Sequence, residues 1–145
     1  MTSEQVFSLS GGLAMAGWIL LAFGPRNLRW LKGLIRCAIP LVLSTVYAAY
    51  LFPHFSESGG GYQSLADVRQ LFSFDELLLA GWIHYLAFDL LIGCFLADRM
   101  DKTGIHRLLQ LPVLYLTLMF GPVGFVLVFW MECSLRFVKR RAFSA

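Results

Sequence analysis

Hydrophobic residues occur along this chain in long blocks, not at the intervals of three and four that give a helix a single apolar stripe. Four blocks qualify as membrane spans: about Val6 to Phe23, Leu31 to Phe52, Leu77 to Leu96 and Leu108 to Phe129. A helix needs roughly 20 mainly apolar residues to cross about 30 Å of hydrocarbon, and its backbone groups then bond internally. The pattern predicts an all-α integral membrane protein, a four-transmembrane-helix bundle in a single membrane domain, 1–145.

Polar residues, proline and glycine mark the connections between the blocks. Gly24 and Pro25 are expected to end the first span, and the polar segment 97–104 is expected to turn the third span into the fourth. The loop "PHFSESGGGYQ" is predicted to be flexible because of its three glycines. After this loop, a possible N-cap at Ser64 and the spacing of the apolar residues predict a short interfacial helix over 64–73.

Prolines predict irregular helix geometry inside two of the spans. Pro40 lies within the second, and the segment "GPVG" at 121–124 interrupts the fourth near its middle. A proline inside a helix removes one hydrogen bond, and Pro122 would free the carbonyl of Leu118. Glycines beside it would also let another helix approach closely. We therefore expect a kink in the fourth helix at Gly121 and Pro122.

Composition supports a membrane protein, since 58% of the residues are hydrophobic and only 14% are charged. The net charge of +3 is interpreted as membrane anchoring, because no basic groove lined with stacking aromatics indicates nucleic acid. Basic residues divide between the two faces with little asymmetry, so they favour both termini outside the cytoplasm only weakly, and the basic tail 136–141 argues against it. The expected location is the bacterial inner membrane, with the first span retained because it lacks a basic n-region.

Residues that bind metals or carry out redox chemistry are isolated from one another: Cys37, Cys94, Cys133, His54, His84 and His106. No Cys-x-x-Cys pair and no histidine cluster occurs, so the sequence predicts no metal site and no cofactor. The cysteines are best interpreted as small apolar residues.

His84 and Asp89 stand out because they are ionisable residues inside the third span, in "GWIHYLAFDLLIG". A central aspartate costs about 3 kcal/mol to insert, and such residues usually face a partner inside the bundle. Aligning the third and fourth spans as an antiparallel hairpin places Asp89 level with Tyr115 and His84 level with Phe120. In one interpretation the pair forms structural clamps, with Asp89 accepting from the Tyr115 hydroxyl and His84 donating to the carbonyl freed by Pro122. In the other, the same groups line a ligand cavity.

The helical positions of His84 and Asp89 restrict the second interpretation. At 100° per residue the two side chains point about 140° apart. One small ligand would touch both only if the third helix projected into the bundle. Both interpretations stay open on the residues alone.

The motif Trp82-x-His84, followed by Asp89-Leu90 and by "GPVG" at 121–124, resembles the plant neoxanthin-synthase family of the abscisic-acid-deficient type and its bacterial relatives. The resemblance covers nearly the whole chain, including Pro25-Arg26 after the first span. One departure is Cys94, since the plant proteins carry an arginine at this point after the Asp-Leu pair. Arg99 is the residue that could serve in its place.

The resemblance implies carotenoid chemistry: violaxanthin is converted to neoxanthin by an isomerisation that opens an epoxide and removes a proton to leave an allene. No electrons are transferred, so no redox cofactor is implied. Such a reaction needs an acid and a base, and His84 and Asp89 are the candidate catalytic residues. Four aromatic residues are the candidate substrate-binding residues: Trp82, Tyr85, Tyr115 and Phe120.

Two functions follow from the resemblance. The first is a membrane isomerase acting on a carotenoid, such as a xanthophyll, or on another long apolar isoprenoid. The second is a non-catalytic protein that binds a polyene or membrane lipid and assists carotenoid metabolism. Either function would require an elongated apolar cleft open to lipid. No oligomeric state is predicted.

Overall fold

The computed structural model describes the backbone of residues 1–143 and the side chains of residues 1–134, and all regular structure in this part of the chain is helical. The helices are α1 (Ser3–Phe23), α2 (Arg29–Gly33), a π-helical turn (Leu34–Ala38), α3 (Ile39–His54), α4 (Leu65–Leu71), α5 (Asp75–Lys102), α6 (Arg107–Phe120) and α7 (Pro122–Phe143). The basic side chains that bear on orientation near the C-terminus, Arg136, Lys139, Arg140 and Arg141, lie outside the described side chains.

Three of the four predicted spans are confirmed as helices that are long and apolar enough to cross a membrane, counted over the described residues: Ser3–Phe23, Arg29–His54 and Asp75–Lys102. Each helix continues beyond its apolar block because backbone hydrogen bonding does not stop where hydropathy falls. At its ends α5 carries acidic residues in the first turn and basic residues in the last, which is the arrangement that the helix dipole favours. These helices are typical of an integral membrane protein.

The ends of α1 follow from local sequence signals. Thr2 and Gln5 form a reciprocal capping box at the N-terminus, with the Thr2 hydroxyl accepting from the Gln5 amide. At the other end the Gly24 amide donates to the Leu20 carbonyl at 2.8 Å, and Pro25 follows. The predicted end of the first span at Gly24 is confirmed.

The second span contains a wide turn where the sequence places a proline. Helical geometry continues from α2 to α3, but Leu34–Ala38 is wound as a π-helix immediately before Pro40. Proline has no amide hydrogen to continue the regular ladder, and a π-helical turn is one way in which a helix accommodates such an interruption. The irregularity predicted from Pro40 is therefore observed as a widened turn.

The fourth predicted span is not one continuous helix, so this part of the prediction is wrong. The described apolar stretch is divided into two shorter helices, Arg107–Phe120 and Pro122–Ser134. Gly121 ends α6 with φ of 34°, a conformation that residues with a Cβ rarely adopt, and Pro122 starts α7. The predicted position of the irregularity is correct, but the chain breaks there completely because proline is well suited to the first turn of a new helix.

The break at Gly121 is sharp enough to bring α7 back against α6. A Cβ atom built on Gly124 would lie 3.0 Å from the Cα atom of Thr117. Seven residues of straight helix would separate such positions by about 10 Å along the axis. The two helices therefore pack closely together at Gly124.

The short helix predicted near 64–73 is confirmed as α4, with Ser64 accepting a hydrogen bond from the Asp67 amide at 3.1 Å. The preceding loop was expected to be flexible, but it is folded onto α4. The Gln70 side chain donates to the Ser58 carbonyl at 3.2 Å, and the Gly61 amide donates to the Asp67 carbonyl at 3.3 Å. Glycine permits this packing, because a Cβ on Gly60 would collide with the α4 backbone.

The chain forms two compact units, Met1–Leu90 and the part that begins at Leu91, and α5 contributes to both. In the first unit α1 and α5 run in the same direction, since Phe7 contacts Trp82 and Gly17 packs against Leu90. By contrast α3 runs the opposite way: its early residue Ile39 packs at Gly17, and its later residue Tyr47 contacts His84. Alternating directions are what three successive membrane crossings require.

In the second unit the turn between α5 and α6 is held by Gln110. Its side-chain amide donates to the Asp101 carboxylate at 2.8 Å and to the Ile105 carbonyl at 2.9 Å. Gly104, with φ of 76°, allows the chain to reverse. The turn predicted after the third span is therefore confirmed.

Alternation of the helices predicts that residues 57 and 102 lie on opposite sides of the membrane. Single cysteines at these positions, in a background without Cys37, Cys94 and Cys133, should react with a membrane-impermeant reagent from opposite faces. Labelling of both from the same face would contradict the crossing of α5.

Candidate functional site

His84 lies on α5 in an aromatic environment. Its ring is stacked on Phe88 with centroids 4.5 Å apart and is tilted against Tyr47 at 5.5 Å. It borders a hollow of about 240 Å³, which we call the His84 hollow; the lining residues are Tyr47, Leu51, Tyr62, Leu71, Phe72, Leu77, Ala80, Gly81 and His84. His84 is the one histidine among them, and imidazole is the side chain that enzymes use most often for proton transfer.

The His84 hollow is closed on one side by α4 and its loop. Phe72, at the end of α4, lies on Gly81 so closely that a Cβ there would be 3.2 Å from the Phe72 Cζ atom. The loop bonded to α4 carries Tyr62, whose ring is 5.6 Å from that of Phe55. Because residue 81 is glycine, the Phe72 ring can pack against α5 there and form one wall of the hollow.

Two tyrosines of this hollow, Tyr47 and Tyr62, are site residues that the sequence analysis missed. They are close enough to interact electrostatically. Together with His84 they place two hydroxyl groups and an imidazole in an otherwise apolar lining. Tyrosine is neutral at physiological pH and common in membrane proteins, so neither position was conspicuous in the hydropathy pattern.

Trp82 and Tyr85, both predicted to bind substrate, lie together on another face of α5. Their rings are stacked with centroids 5.4 Å apart. They border a second hollow of about 430 Å³, the Tyr85 hollow, which is lined by Phe72, Leu78, Gly81, Trp82 and Tyr85. The structure therefore brings these two predicted residues together at one apolar surface.

A third hollow, of about 440 Å³, lies beside the N-terminal ends of α1 and α5. It is lined by Ser3, Glu4, Phe7, Asp75, Leu78, Leu79 and Trp82. The Tyr85 hollow shares Leu78 and Trp82 with it, and shares Phe72 and Gly81 with the His84 hollow. The three hollows thus adjoin along the surface of α5, and we call them together the α5 groove. Its elongated, largely apolar form is the one expected for the predicted cleft.

Asp89 is buried, with 8% of its surface exposed, and does not line these three hollows. Its carboxyl group is hydrogen-bonded to the hydroxyl of Tyr85, one helical turn earlier. Its Oδ2 atom has no hydrogen-bond partner among the described residues. The partner that the structure gives Asp89 is therefore on its own helix.

Tyr115 and Phe120 both belong to α6 and have exposed side chains. Phe120 is the last residue of that helix, directly before Gly121. The predicted clamps, from Tyr115 to Asp89 and from His84 to the carbonyl near Pro122, stay predictions, as do the substrate-binding roles of Tyr115 and Phe120.

Trp18 provides a further buried polar atom in the first unit. Its indole Nε1 atom has no partner among the described residues, like Oδ2 of Asp89. The two residues are the chain neighbours of Gly17 and Leu90, where a Cβ on Gly17 would lie 2.8 Å from the Leu90 Cδ2 atom. An unpaired donor and an unpaired acceptor therefore occur at the same level of the α1–α5 contact.

Arg99 is engaged in an ion pair within the second unit. Its Nε atom donates to the Glu132 carboxylate at 2.8 Å, its Nη2 atom donates to the other carboxylate oxygen, and its guanidinium lies 4.5 Å from the Phe129 ring centroid. Glu132 is 4% exposed. The sequence analysis considered Arg99 but missed Glu132, although a single acid in an apolar run was the signal that had identified Asp89. The ion pair between Arg99 and Glu132 therefore links α5 to α7.

Metal-binding side chains do not converge within the described part: no group of three among its His, Cys, Asp and Glu residues is arranged to hold an ion.

Comparison with known proteins identifies one family. A family model described as ABA DEFICIENT 4-like matches residues 5–128. No curated protein and no solved structure matches the chain. The match covers most of the sequence and agrees with the resemblance carried by Trp82, His84 and Asp89. The chain therefore belongs to the ABA DEFICIENT 4-like family, which is related to neoxanthin synthase and to carotenoid metabolism.

Proposed function

We propose that this protein is a membrane-embedded isomerase of the neoxanthin-synthase type, located in the bacterial inner membrane. Its substrate is a carotenoid or another long apolar isoprenoid that enters from the lipid. The reaction is an acid–base epoxide opening or a double-bond isomerisation, neither of which requires a redox cofactor.

The α5 groove is the observation that carries this proposal. Whole drug-sized ligands occupy pockets of about 300–1,000 Å³, so the His84 hollow of about 240 Å³ suits one end group of a longer molecule. The adjoining hollows of about 430 and 440 Å³ extend the apolar surface along α5. An elongated molecule would place its ring beside His84 and its chain along Trp82.

Polar side chains line both ends of the groove: His84, Tyr47 and Tyr62 at one end, and Ser3, Glu4 and Asp75 at the other. Tyr47 and Tyr62 would bind an oxygen on the ring through their hydroxyl groups, and His84 would donate a proton to that oxygen as the epoxide opens. The three groups lie in an apolar lining, where a hydrogen bond is stronger than in water. The hollow thus favours a molecule with an oxygenated end and a hydrocarbon body.

The position of the hollow fits such an amphipathic ligand. It is formed by the last part of α3, the short helix α4 and the first part of α5. These are segments near the ends of crossing helices, so they belong near one membrane interface. A polar ring would remain close to the interface while the polyene chain lies in hydrocarbon.

A non-catalytic function, in which the protein binds a polyene or lipid and assists an enzyme, is the alternative. One observation favours it: no carboxylate lines the His84 hollow, so beside the imidazole its lining offers only tyrosine hydroxyl groups for proton transfer. Both functions require ligand binding, and only the isomerase changes the ligand.

Binding predicts that protein purified from a carotenoid-producing host will retain structured visible absorption after extensive detergent washing. Trp82→Ala should weaken this retention, because Trp82 borders two of the hollows. Trp130→Ala is the matched control, since Trp130 is exposed and borders none of the three. A colourless wild-type protein that also fails to take up added polyene would contradict both functions.

A further inference from the structure

Helix α6 is too short to cross a membrane. Its 14 residues extend about 21 Å at 1.5 Å per residue, whereas the hydrocarbon of a bilayer is about 30 Å thick. It ends at Gly121, and α7 then packs so closely on it that a Cβ on Gly124 would lie 3.0 Å from the Thr117 Cα atom. A helix that starts at the membrane surface and turns back after this length ends inside the bilayer.

Contacts with α5 give the direction of α7. The ring centroids of Phe95 and Phe125 are 6.5 Å apart, and one turn further along α5 the Arg99 Nε atom donates to Glu132 at 2.8 Å. The contacting residues advance along both helices together, so α7 runs in the same direction as α5. Since α5 ends at Lys102 on one side of the membrane, α7 leads back to that same side.

The break between α6 and α7 is compatible with a position inside the bilayer. Irregular backbone at that depth has to be covered by protein, because lipid offers no hydrogen-bond partner. Gly121 is buried, and its amide donates to the Thr117 carbonyl at 2.8 Å. The two helices thus have the geometry of a hairpin that enters and leaves through one face of the membrane.

The basic residues supply an independent observation. With three crossings followed by such a hairpin, the segments 26–36, 99–107 and 136–141 all belong to the side on which α5 ends. By sequence they contain eleven of the 12 lysines and arginines, and only Arg69 belongs to the other side. Four crossings would divide the same residues seven to five. The hairpin therefore converts a weak charge asymmetry into a strong one.

We propose that α6 and α7 form a re-entrant hairpin, that the basic side is cytoplasmic, and that the α5 groove opens to the opposite leaflet. Cytoplasmic segments within about 15–20 residues of membrane-spanning helices carry an excess of lysine and arginine, and this excess sets the orientation. The start of α1 then lies outside the cytoplasm, and the end of α7 lies inside it.

The α5 groove belongs to the half of the bilayer away from the basic side. On α5 it extends from Asp75 to Tyr85, a rise of about 15 Å at 1.5 Å per residue. This rise is half of the hydrocarbon thickness of about 30 Å. The rest of its lining comes from the start of α1, the last part of α3 and the α4 region, which lie at the same side. This part of the inference rests on the proposed function, and it assigns the outer leaflet as the source of the isoprenoid.

Single cysteines in spheroplasts of a bacterial expression host test the hairpin and the orientation. Glu57→Cys, Lys102→Cys and Ser134→Cys replace exposed residues, in a background without the three native cysteines. Ser134 is two residues beyond Glu132, and Lys102 is three beyond Arg99, so these two probes lie at about the same level. A membrane-impermeant maleimide should label position 57 in intact spheroplasts, and positions 102 and 134 only after the membrane is opened.

Two results would overturn this topology. Labelling of position 134 from the same side as position 57 would reject the hairpin in favour of a fourth crossing. Labelling of positions 102 and 134 in intact spheroplasts, or equal labelling of all three positions from both sides, would reject the orientation.

Asp75→Cys tests the groove separately from the topology. Asp75 is exposed and lines the hollow beside the start of α1. Its cysteine should react in intact spheroplasts, and prior loading with an epoxycarotenoid should slow the reaction several-fold. Glu57→Cys is the matched control, because Glu57 borders no hollow of the groove and its rate should not change.

The two proposals fail in different ways. Reaction of the Asp75→Cys protein in intact spheroplasts, without protection by the carotenoid, would reject the groove as the binding site and leave the topology standing. Reaction only after the membrane is opened would reject the orientation, whereas protection by the carotenoid would still support the groove.

Discussion

Replacement of His84 by glutamine is expected to reduce substrate conversion by about 10²–10⁴ while the melting temperature stays near that of the wild type, because loss of a general acid has this typical effect. Glutamine can still hydrogen-bond to a ligand oxygen, but it cannot release a proton near neutral pH. The side chain is exposed and its contacts are with the rings of Tyr47 and Phe88, so the substitution creates no cavity in the core.

Conversion and melting temperature have to be measured in the same detergent. His54→Gln is the matched control, because His54 contacts the Tyr50 carbonyl of its own helix and borders no hollow of the α5 groove. A His84→Gln variant of normal stability and near-normal conversion would refute the acid assignment. Parallel loss of stability and conversion would return His84 to a structural role.

Gly124→Ala is the substitution with the largest expected effect on stability. The new Cβ would lie 2.8 Å from the Thr117 Cβ atom and closer still to its hydroxyl oxygen. Thr117 is fully buried and the Thr117 backbone is also within 3.0 Å, so α6 and α7 would have to separate. Such overpacking typically costs about 1–3 kcal/mol, and more where the backbone must move.

Gly11→Ala in α1 provides a control of opposite sign. Its Cβ would meet no atom within 4 Å, and alanine in a helix interior is favoured over glycine by about 0.5–1 kcal/mol. Thermal unfolding should therefore show a lower melting temperature for Gly124→Ala and an unchanged or higher one for Gly11→Ala. Equal melting temperatures for the two variants would mean that α6 and α7 do not pack closely at Gly124.

The helices that the sequence predicted correctly are those whose signals are local. Apolar length predicted α1, the helix over 29–54 and α5, and capping chemistry predicted the start of α4 at Ser64 and the end of α1 at Gly24. These features depend on residues within one or two turns, so no knowledge of packing was required.

The prediction of one continuous fourth span was wrong because hydropathy does not report backbone conformation. The stretch 108–129 is apolar throughout, but a left-handed conformation at Gly121 ends one helix and Pro122 begins another. The sequence analysis treated Pro122 as a proline inside a helix, whereas a proline is also a favoured first residue. The conformation of Gly121 and the packing of Gly124 on Thr117 distinguish the two cases, and both belong to the folded structure.

The candidate site was predictable where a residue was anomalous in its span. His84 and Asp89 were found because ionisable groups are rare in hydrocarbon, and Glu132 could have been found by the same argument. The structure bonds Asp89 to Tyr85, four residues earlier on α5, a contact that the sequence analysis did not consider. The spacing of i and i+4 on one helix face was the available signal. Contributions from the folded loop, such as Tyr62, depend on tertiary packing and leave no periodic pattern.

Isomer analysis of an epoxycarotenoid incubated with the purified wild-type protein tests the proposed function most directly. The account predicts that the substrate disappears and that a product of identical mass but different absorption and retention accumulates, with no added cofactor. His84→Gln protein should bind the same polyene and leave it unchanged. Binding of the polyene by wild-type protein with no isomer formed, across epoxidised and other oxygenated carotenoids, would contradict the isomerase and favour the non-catalytic alternative.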